Sequence, residues 1–370
     1  MRALSAFSAV FLVFMLAFSF SPAAAAFESS REDDIAKKSG ADKLPVGEII
    51  SPEEKTGKEK IDIADKIFSV LKKSITGFYK SGLRFFYSLV GVIALSALLL
   101  SFKRTSENAA VKAAYEYISV LALAGALFHG LQGLFVFAAQ SFDRLCVFMA
   151  SLLPVTASLY TLGGNFSSGV AGSSSLLMFL TVAEKFSASV LRPLLMAGFV
   201  VSVMGALPGS ADMRSVTNFL KSVLTTLMAF VFTLFGVVMY FQTIIAAAAD
   251  NYVFRTVKFA SGVFIPVIGN IVGEAARNVS SAVGVVRSTV GAIGLVSISA
   301  LVLPAVIYVI MHKIFVLMAA MLARLLGLEK ESAMLYDVNG FLNILMSLLV
   351  GTSVIFIIAV ALFIKIGVGD

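Results

Sequence analysis

The chain has 370 residues and a mass of 39.2 kDa, with 59% apolar residues, 14% charged and a mean hydropathy of +0.95. A soluble domain averages about 25% charged residues and could not hide this much apolar side chain; a disordered chain would not carry it, so lipid must solvate most of the polypeptide. The formal charge of +7 forms no folded basic face: residues 27–84 hold 12 Lys/Arg and 11 Asp/Glu, while 85–370 hold 16 and 11, so no nucleic acid is expected as a partner.

A lone cysteine, Cys146, excludes an internal disulfide and any cysteine-clustered zinc or iron–sulfur site. Two histidines, His129 and His312, leave little for a His-based metal centre or haem, and no cofactor is expected. Tryptophan is absent, so 32 Phe and 9 Tyr must supply any interfacial belt.

Met1-Arg2 begins the chain with a charge, Ala3 to Phe20 is apolar, and Ser21-Pro22 precedes four alanines. Ala24 and Ala26 fit an A-x-A cleavage site, which makes 1–26 a signal peptide and Phe27 the first mature residue. The other reading is an uncleaved span, because about 18 apolar residues can cross a bilayer. Either way, residue 27 onward starts on the non-cytoplasmic side. Residues 27–60, with mixed charges, Pro45 and Pro52, read as an extracytoplasmic polar linker. Over 61–84, Ala64, Ile67, Phe68, Leu71, Ile75 and Phe78 recur at helical spacing, which predicts an amphipathic juxtamembrane helix. It suits a membrane face or a partner protein equally.

Residues 85–370 read as an all-α polytopic domain with seven or eight transmembrane helices. The expected spans begin with Phe85–Phe102, stopped by Lys103-Arg104. Tyr117–Ala139 follows, then a tight turn at Asp143-Arg144, then Leu145–Leu162. A Gly/Ser loop is expected from Gly163 to Ser175. Leu176–Leu207 is interrupted by Glu184, Lys185, Arg192 and Pro193, and fits one kinked helix or a hairpin of two. Val223–Ala249, Ile293–Met311 with Pro304 inside, Ile314–Leu328 with Arg324, and Phe341–Ile364 complete the set. The positive-inside tendency puts Lys103, Arg104 and Lys112 in the cytoplasm. The basic stretch 250–290 would join them if 176–207 crosses once.

Residues 250–292 are too polar for a simple span and too apolar for a simple loop. Ala276, Ser280, Gly284 and Ser288 recur every four residues, and Gly262, Gly269, Gly273, Gly291 and Gly294 add small positions that let helices approach. Pro266 offers a break, so a broken or re-entrant helix and a tight helical hairpin both fit. Intramembrane polar candidates are His129, Glu184, Lys185, Arg192, Arg255, Lys258, Arg287 and Arg324. A charge at the bilayer centre costs roughly 2.5–3.5 kcal/mol on insertion scales, so each should meet protein or water. Glu184 and Arg192, about 80° apart around a helix, could line a polar path or bind a subunit, or form an internal ion pair. His129 suits a proton relay or a packing role. Arg324 sits near a helix end, where it can snorkel.

The run Asp250-Asn251-Tyr252-Val253-Phe254-Arg255-Thr256-Val257-Lys258-Phe259-Ala260, then Phe264-Ile265-Pro266-Val267-Ile268-Gly269, then Val286-Arg287-Ser288-Thr289-Val290-Gly291-Ala292-Ile293-Gly294, resembles the central block of the stage III sporulation protein AE family. Asn218-Phe219-Leu220-Lys221 and the span after it fit the same order. One departure is Arg287-Ser288, where the pattern would have Lys-Asn; the charge is kept and the amide is lost. The resemblance implies a polytopic subunit in the mother-cell membrane around the forespore. It also implies partners: the other membrane proteins of an eight-protein stage III complex, a forespore membrane protein, and a channel or secretion-like role in endospore development.

No G-x-x-x-x-G-K-[ST] or H-E-x-x-H pattern occurs, so energy would come from a partner ATPase or the assembly is passive. No nucleophile–base or paired-carboxylate set stands out for an intramembrane enzyme. A secondary transporter remains the alternative; it predicts inverted repeats, of which 163–193 is a poor echo of 250–292.

Overall fold

The computed structural model describes residues 63–105, 107–162, 166–208, 213–264 and 266–365, with few side chains before 72 or between 242 and 288. The expected signal peptide (1–26) and polar linker (27–60) lie outside these residues. Among the described residues the chain is helical, without strands: α1 (Ile63–Thr105), α2 (Ala109–Leu162), α3 (Phe166–Phe186), a π-helical segment (Ser187–Leu191), α4 (Arg192–Ala206), α5 (Arg214–Phe264), α6 (Pro266–Leu325) and α7 (Glu329–Lys365).

Several helices are longer than the sequence suggests. The 54 residues of α2 and the 60 of α6 rise about 81 and 90 Å, against a hydrocarbon core of about 30 Å. No turn forms at Asp143-Arg144. Neither residue removes a backbone donor, and Phe142, Leu145, Cys146 and Met149 keep one buried stripe running through the site. The expected gap between Ile293–Met311 and Ile314–Leu328 is likewise helical, because His312 continues the inward face of α6. Helix also replaces most of the expected Gly/Ser loop, starting at Phe166. There the hydroxyls of Ser173 and Ser175 donate to the carbonyls of Gly169 and Ala171, each at 2.6 Å, so the polar side chains are satisfied within the helix. Residues 63–84 of the expected amphipathic segment and the first expected span are one helix, α1. Among the described residues, six stretches are long and apolar enough to cross a membrane, in place of the expected seven or eight: Ser74–Lys103, Ala109–Leu162, Gly169–Ala206, Arg214–Phe241, Thr289–Leu325 and Glu329–Ala361.

The ambiguous region 176–207 is one passage, not a hairpin. Pro193 has no N–H to give to the preceding turn, and the chain widens into the π-segment Ser187–Leu191 just before it. At the other proline, α5 stops at Phe264 and α6 starts at Pro266, a first-turn position where the missing N–H costs nothing. The stretch 250–292, expected as a broken or re-entrant helix or a tight helical hairpin with a break at Pro266, is helical on both sides of Ile265, which lies outside the described residues.

Helices α6 and α7 form the central hairpin; α1 and α2 pack on α6, while α4 and α5 pack on α7. The turn between α6 and α7 is closed at Gly327, whose φ of 79° favours glycine. Gly327 N–H donates to the Arg324 carbonyl and Leu328 N–H to that of Ala323, the double bond that ends a helix against a left-handed residue. Asn108 starts α2 by accepting from the Ala110 N–H at 2.8 Å.

Two aromatic clusters tie the bundle. Phe78, Phe85 (α1), Phe137 (α2), Tyr308 and His312 (α6) form one; Phe85 stacks on the imidazole at 5.0 Å between centroids, and Tyr308 meets Phe137 at 5.5 Å edge-on. Phe179 (α3), Phe235 (α5) and Phe356 (α7) form the other, with centroids 4.6 and 5.4 Å from Phe179. Gly130 on α2 allows the first cluster to close, because the Phe85 ring occupies the space a Cβ would need. Phe85 is held by His312 and cannot swing aside. Gly130→Leu therefore overpacks the α1–α2 contact. Its helix-propensity gain of about 1 kcal/mol is outweighed by overpacking of about 1–3 kcal/mol. A lower melting temperature in detergent is the expected result; an unchanged one would mean the ring does not fill that space.

Candidate functional site

The connections α1–α2, α4–α5 and α6–α7 gather at one end of the bundle. Glu116 is the hub: it accepts from Lys103 at the end of α1, and from Lys330 at the start of α7 at 2.9 Å. One turn along α2, Ser119 donates to Glu331, a carboxylate that is only 6% exposed. Tyr117 Oη donates to the Pro208 carbonyl at 3.0 Å, fastening α2 to the end of the α3–α4 passage. A cleft of about 250 Å³ opens here, lined by Arg214, Thr217, Glu329, Lys330 and Asp337 among others. A step further in, Lys221 of α5 donates to Asp337 of α7 at 2.7 Å. Its ammonium also stands 5.4 Å from the Phe341 ring centroid, within cation–π reach. This end thus joins the termini of α1, α2, α5 and α7 through charge-assisted bonds, which are stronger than neutral ones.

A second charged zone lies midway along α2 and at the end of α3, where it meets the π-segment. Arg192 Nη2 bonds Asp143 Oδ1 at 3.0 Å and Oδ2 at 3.2 Å, linking the π-segment's end to the middle of α2. Glu184 is thus not the partner of Arg192: the widened π turn leaves Arg192 beside α2, while Glu184 and Lys185 stand exposed on α3. Asp143 and Arg144 are also exposed. The hydrophobic flanks Leu145–Leu162 and Phe166–Ala183 carry no charge.

The remaining expected positions separate by face. His129 is exposed on α2, whereas His312, left without a role by the sequence, is buried, with Nδ1 2.9 Å from the Tyr308 carbonyl oxygen. Arg324 is exposed in the last turn of α6. Gly291 and Gly294 are buried, and a Cβ on Gly294 would stand 3.4 Å from Val360 and 3.6 Å from Leu152. The side chains of Arg255, Lys258, Arg287, Pro266, Ala276, Ser280 and Ser288, and the surroundings of Gly262, Gly269, Gly273 and Gly284, lie outside the described residues. Sequence reasoning missed the pairs Lys221–Asp337 and Ser119–Glu331 and the hub Glu116. The only sequence signal for them was a charge or hydroxyl at the end of an apolar run. Among the described residues no three His, Cys, Asp or Glu side chains gather as a metal site.

Six apolar helical stretches of spanning length, with ion pairs gathered at one end, define a polytopic helical membrane protein. The chain belongs to the stage III sporulation protein AE family, whose model matches residues 46–367. It is similar to the stage III sporulation protein AE of Bacillus subtilis (strain 168), at 25% identity over 247 residues, covering 65% of this chain and 61% of that protein. The chain thus spans about 61% of the length of the curated relative it matches. No solved structure matches.

Proposed function

We propose that this protein is a non-enzymatic core subunit of a channel or secretion-like complex between mother cell and forespore. It would act in the mother-cell membrane that surrounds the forespore. The observation that carries the reading is the family match from 46 to 367, which contains all six spanning stretches. The other stage III membrane proteins and a forespore membrane protein are the proposed partners, with a partner ATPase supplying energy if any is used. The ion-paired end and the small-residue position Gly294 support a role in helix assembly, because each brings neighbouring helices into contact.

Purification of the tagged chain from a sporulating host in mild detergent should bring down other stage III membrane proteins. Solute uptake driven by an ion gradient in liposomes holding the purified chain alone would instead establish the transporter alternative.

The orientation is also testable. A non-cytoplasmic residue 63 makes the ion-paired end cytoplasmic, with Lys103, Lys112, Arg214 and Lys330 there. Each helix passage then reverses direction at a connection, so α5 carries 250–264 away from the cytoplasm, opposite to the side its basic residues suggest. Single cysteines at Asn108 and Gly327 should label only from the cytoplasmic side, and one at Ser281 only from the other. Labelling of all three from one face would refute this arrangement.

A further inference from the structure

The charged zone midway along α2 and at the end of α3 has no single solvent that suits it. Asp143 and Arg192 are 56% and 43% exposed, and Arg144, Glu184 and Lys185 are exposed beside them. The Asp143–Arg192 bonds show that the outward faces of the two helices adjoin at this height. Beyond it both helices run on for about 18 uncharged residues, about 27 Å of helix, and expose Val147 (67%), Val155, Leu162, Val170, Leu177 and Met178. If the earlier half of α2 lies in hydrocarbon with the charges at the bilayer surface, these apolar side chains stand in water. If these apolar side chains span the hydrocarbon, about 30 Å thick, the charges meet its other edge, and the exposed Ile118 and Leu121 (each 54%) on the earlier half of α2 stand in water. Protein must cover one half of this ridge.

We propose that the cover is a second copy of this chain, docked by a two-fold axis through Glu184-Lys185. The charge pattern is the reason. Within the chain Arg192 is paired with Asp143, while Arg144, Glu184 and Lys185 have no ion-pair partner among the described residues. Glu184 and Lys185 are adjacent and opposite in sign, so a two-fold axis sets each against its complement in the other copy, as a self-complementary patch requires. The apolar flanks then close over the pairs and exclude lipid and water together. The π-segment presents small residues, Ala188 and Ser189, on the same exposed face, which permits close approach of the second copy. This inference names one contact of the proposed assembly subunit and rests on that reading only for its setting.

The test uses the full chain in lipid nanodiscs of a size that admits two copies. Native mass measurement should find the wild type as a dimer. Glu184→Lys and Lys185→Glu should each lower the dimer fraction at least tenfold, and the double exchange should restore it. In a Cys146→Ala background, Ala188→Cys should form an oxidant-induced cross-linked dimer, whereas Phe219→Cys, exposed at the ion-paired end, should not. A monomeric wild type, equal cross-linking at the two positions, or no restoration by the double exchange would overturn the proposal. So would cross-linking of Ala188→Cys in cells to other proteins alone. None of these outcomes bears on co-purification with the stage III proteins, so the two readings fail separately.

Discussion

Replacing Phe179 by alanine is expected to destabilise the protein by about 2–4 kcal/mol. The phenyl ring is fully buried, with relative exposure of 0%, and touches Phe235 and Phe356 through edge-on contacts. Truncation of a buried phenylalanine in a water-soluble core costs about 3–5 kcal/mol, part from transfer and part from the cavity. In lipid the transfer part shrinks, because the separated helices already lie in an apolar medium, but the lost packing remains. Each edge-on partner adds about 0.5–1.5 kcal/mol beyond area. Three helices, α3, α5 and α7, meet at this one ring, so no single neighbour can close the gap. Chemical unfolding in mixed detergent should show the loss, and Phe356→Ala combined with it should be less than additive because the two share one cavity. A fully additive pair would mean that the cluster does not pack as one unit.

How much of this was legible in the sequence depends on the range of the signal. The membrane class followed from composition alone, and helix was rightly expected because apolar runs of spanning length can satisfy their backbone only internally. Chain breaks were harder. Charge at Asp143-Arg144 points to a turn, but polarity does not stop a helix when the buried stripe Phe142, Leu145, Cys146, Met149 continues across it. The interruption at Glu184–Pro193 is legible in the sequence and its form, a π-segment, is not, since one extra residue per turn leaves no compositional mark. The two histidines show a signal that was present and unused. On α2 the buried stripe runs through Leu127, Leu131 and Leu134, and His129 falls off it. On α6 the stripe Ala305, Val309, Val316 and Ala320 contains His312. Helical phase alone would have sorted them. Partnerships such as Glu116 with Lys330 join residues far apart in the chain, and a single sequence holds no record of which distant charge meets which.

Asp337→Ala should be the most damaging change at the ion-paired end, with an expected loss of about 2–4 kcal/mol. Removing one partner of a buried ion pair costs about 3–5 kcal/mol because the other charge is left without compensation, and the 22% and 19% exposure of Lys221 and Asp337 lowers that moderately. Lys221 has no easy escape. Its stem runs against Gly340, where a Cβ would stand 2.8 Å from Cε, and its ammonium stands by the Phe341 ring. Phe341 in turn fills the space above Gly198 on α4, so the pair also fixes how α4 meets α7. Lys221→Met/Asp337→Leu removes both charges while keeping most of the volume, and should recover most of the stability, as replacing a buried pair by apolar groups often does. Detergent unfolding of Lys221→Met, Asp337→Leu and the double variant measures the coupling directly. If the double variant were as unstable as Asp337→Ala, the loss would lie in packing rather than in an orphaned ammonium. If the double variant were stable but failed to support sporulation, the charges would serve a contact outside this chain, at the end of the bundle where the cleft of about 250 Å³ is lined by Asp337 itself.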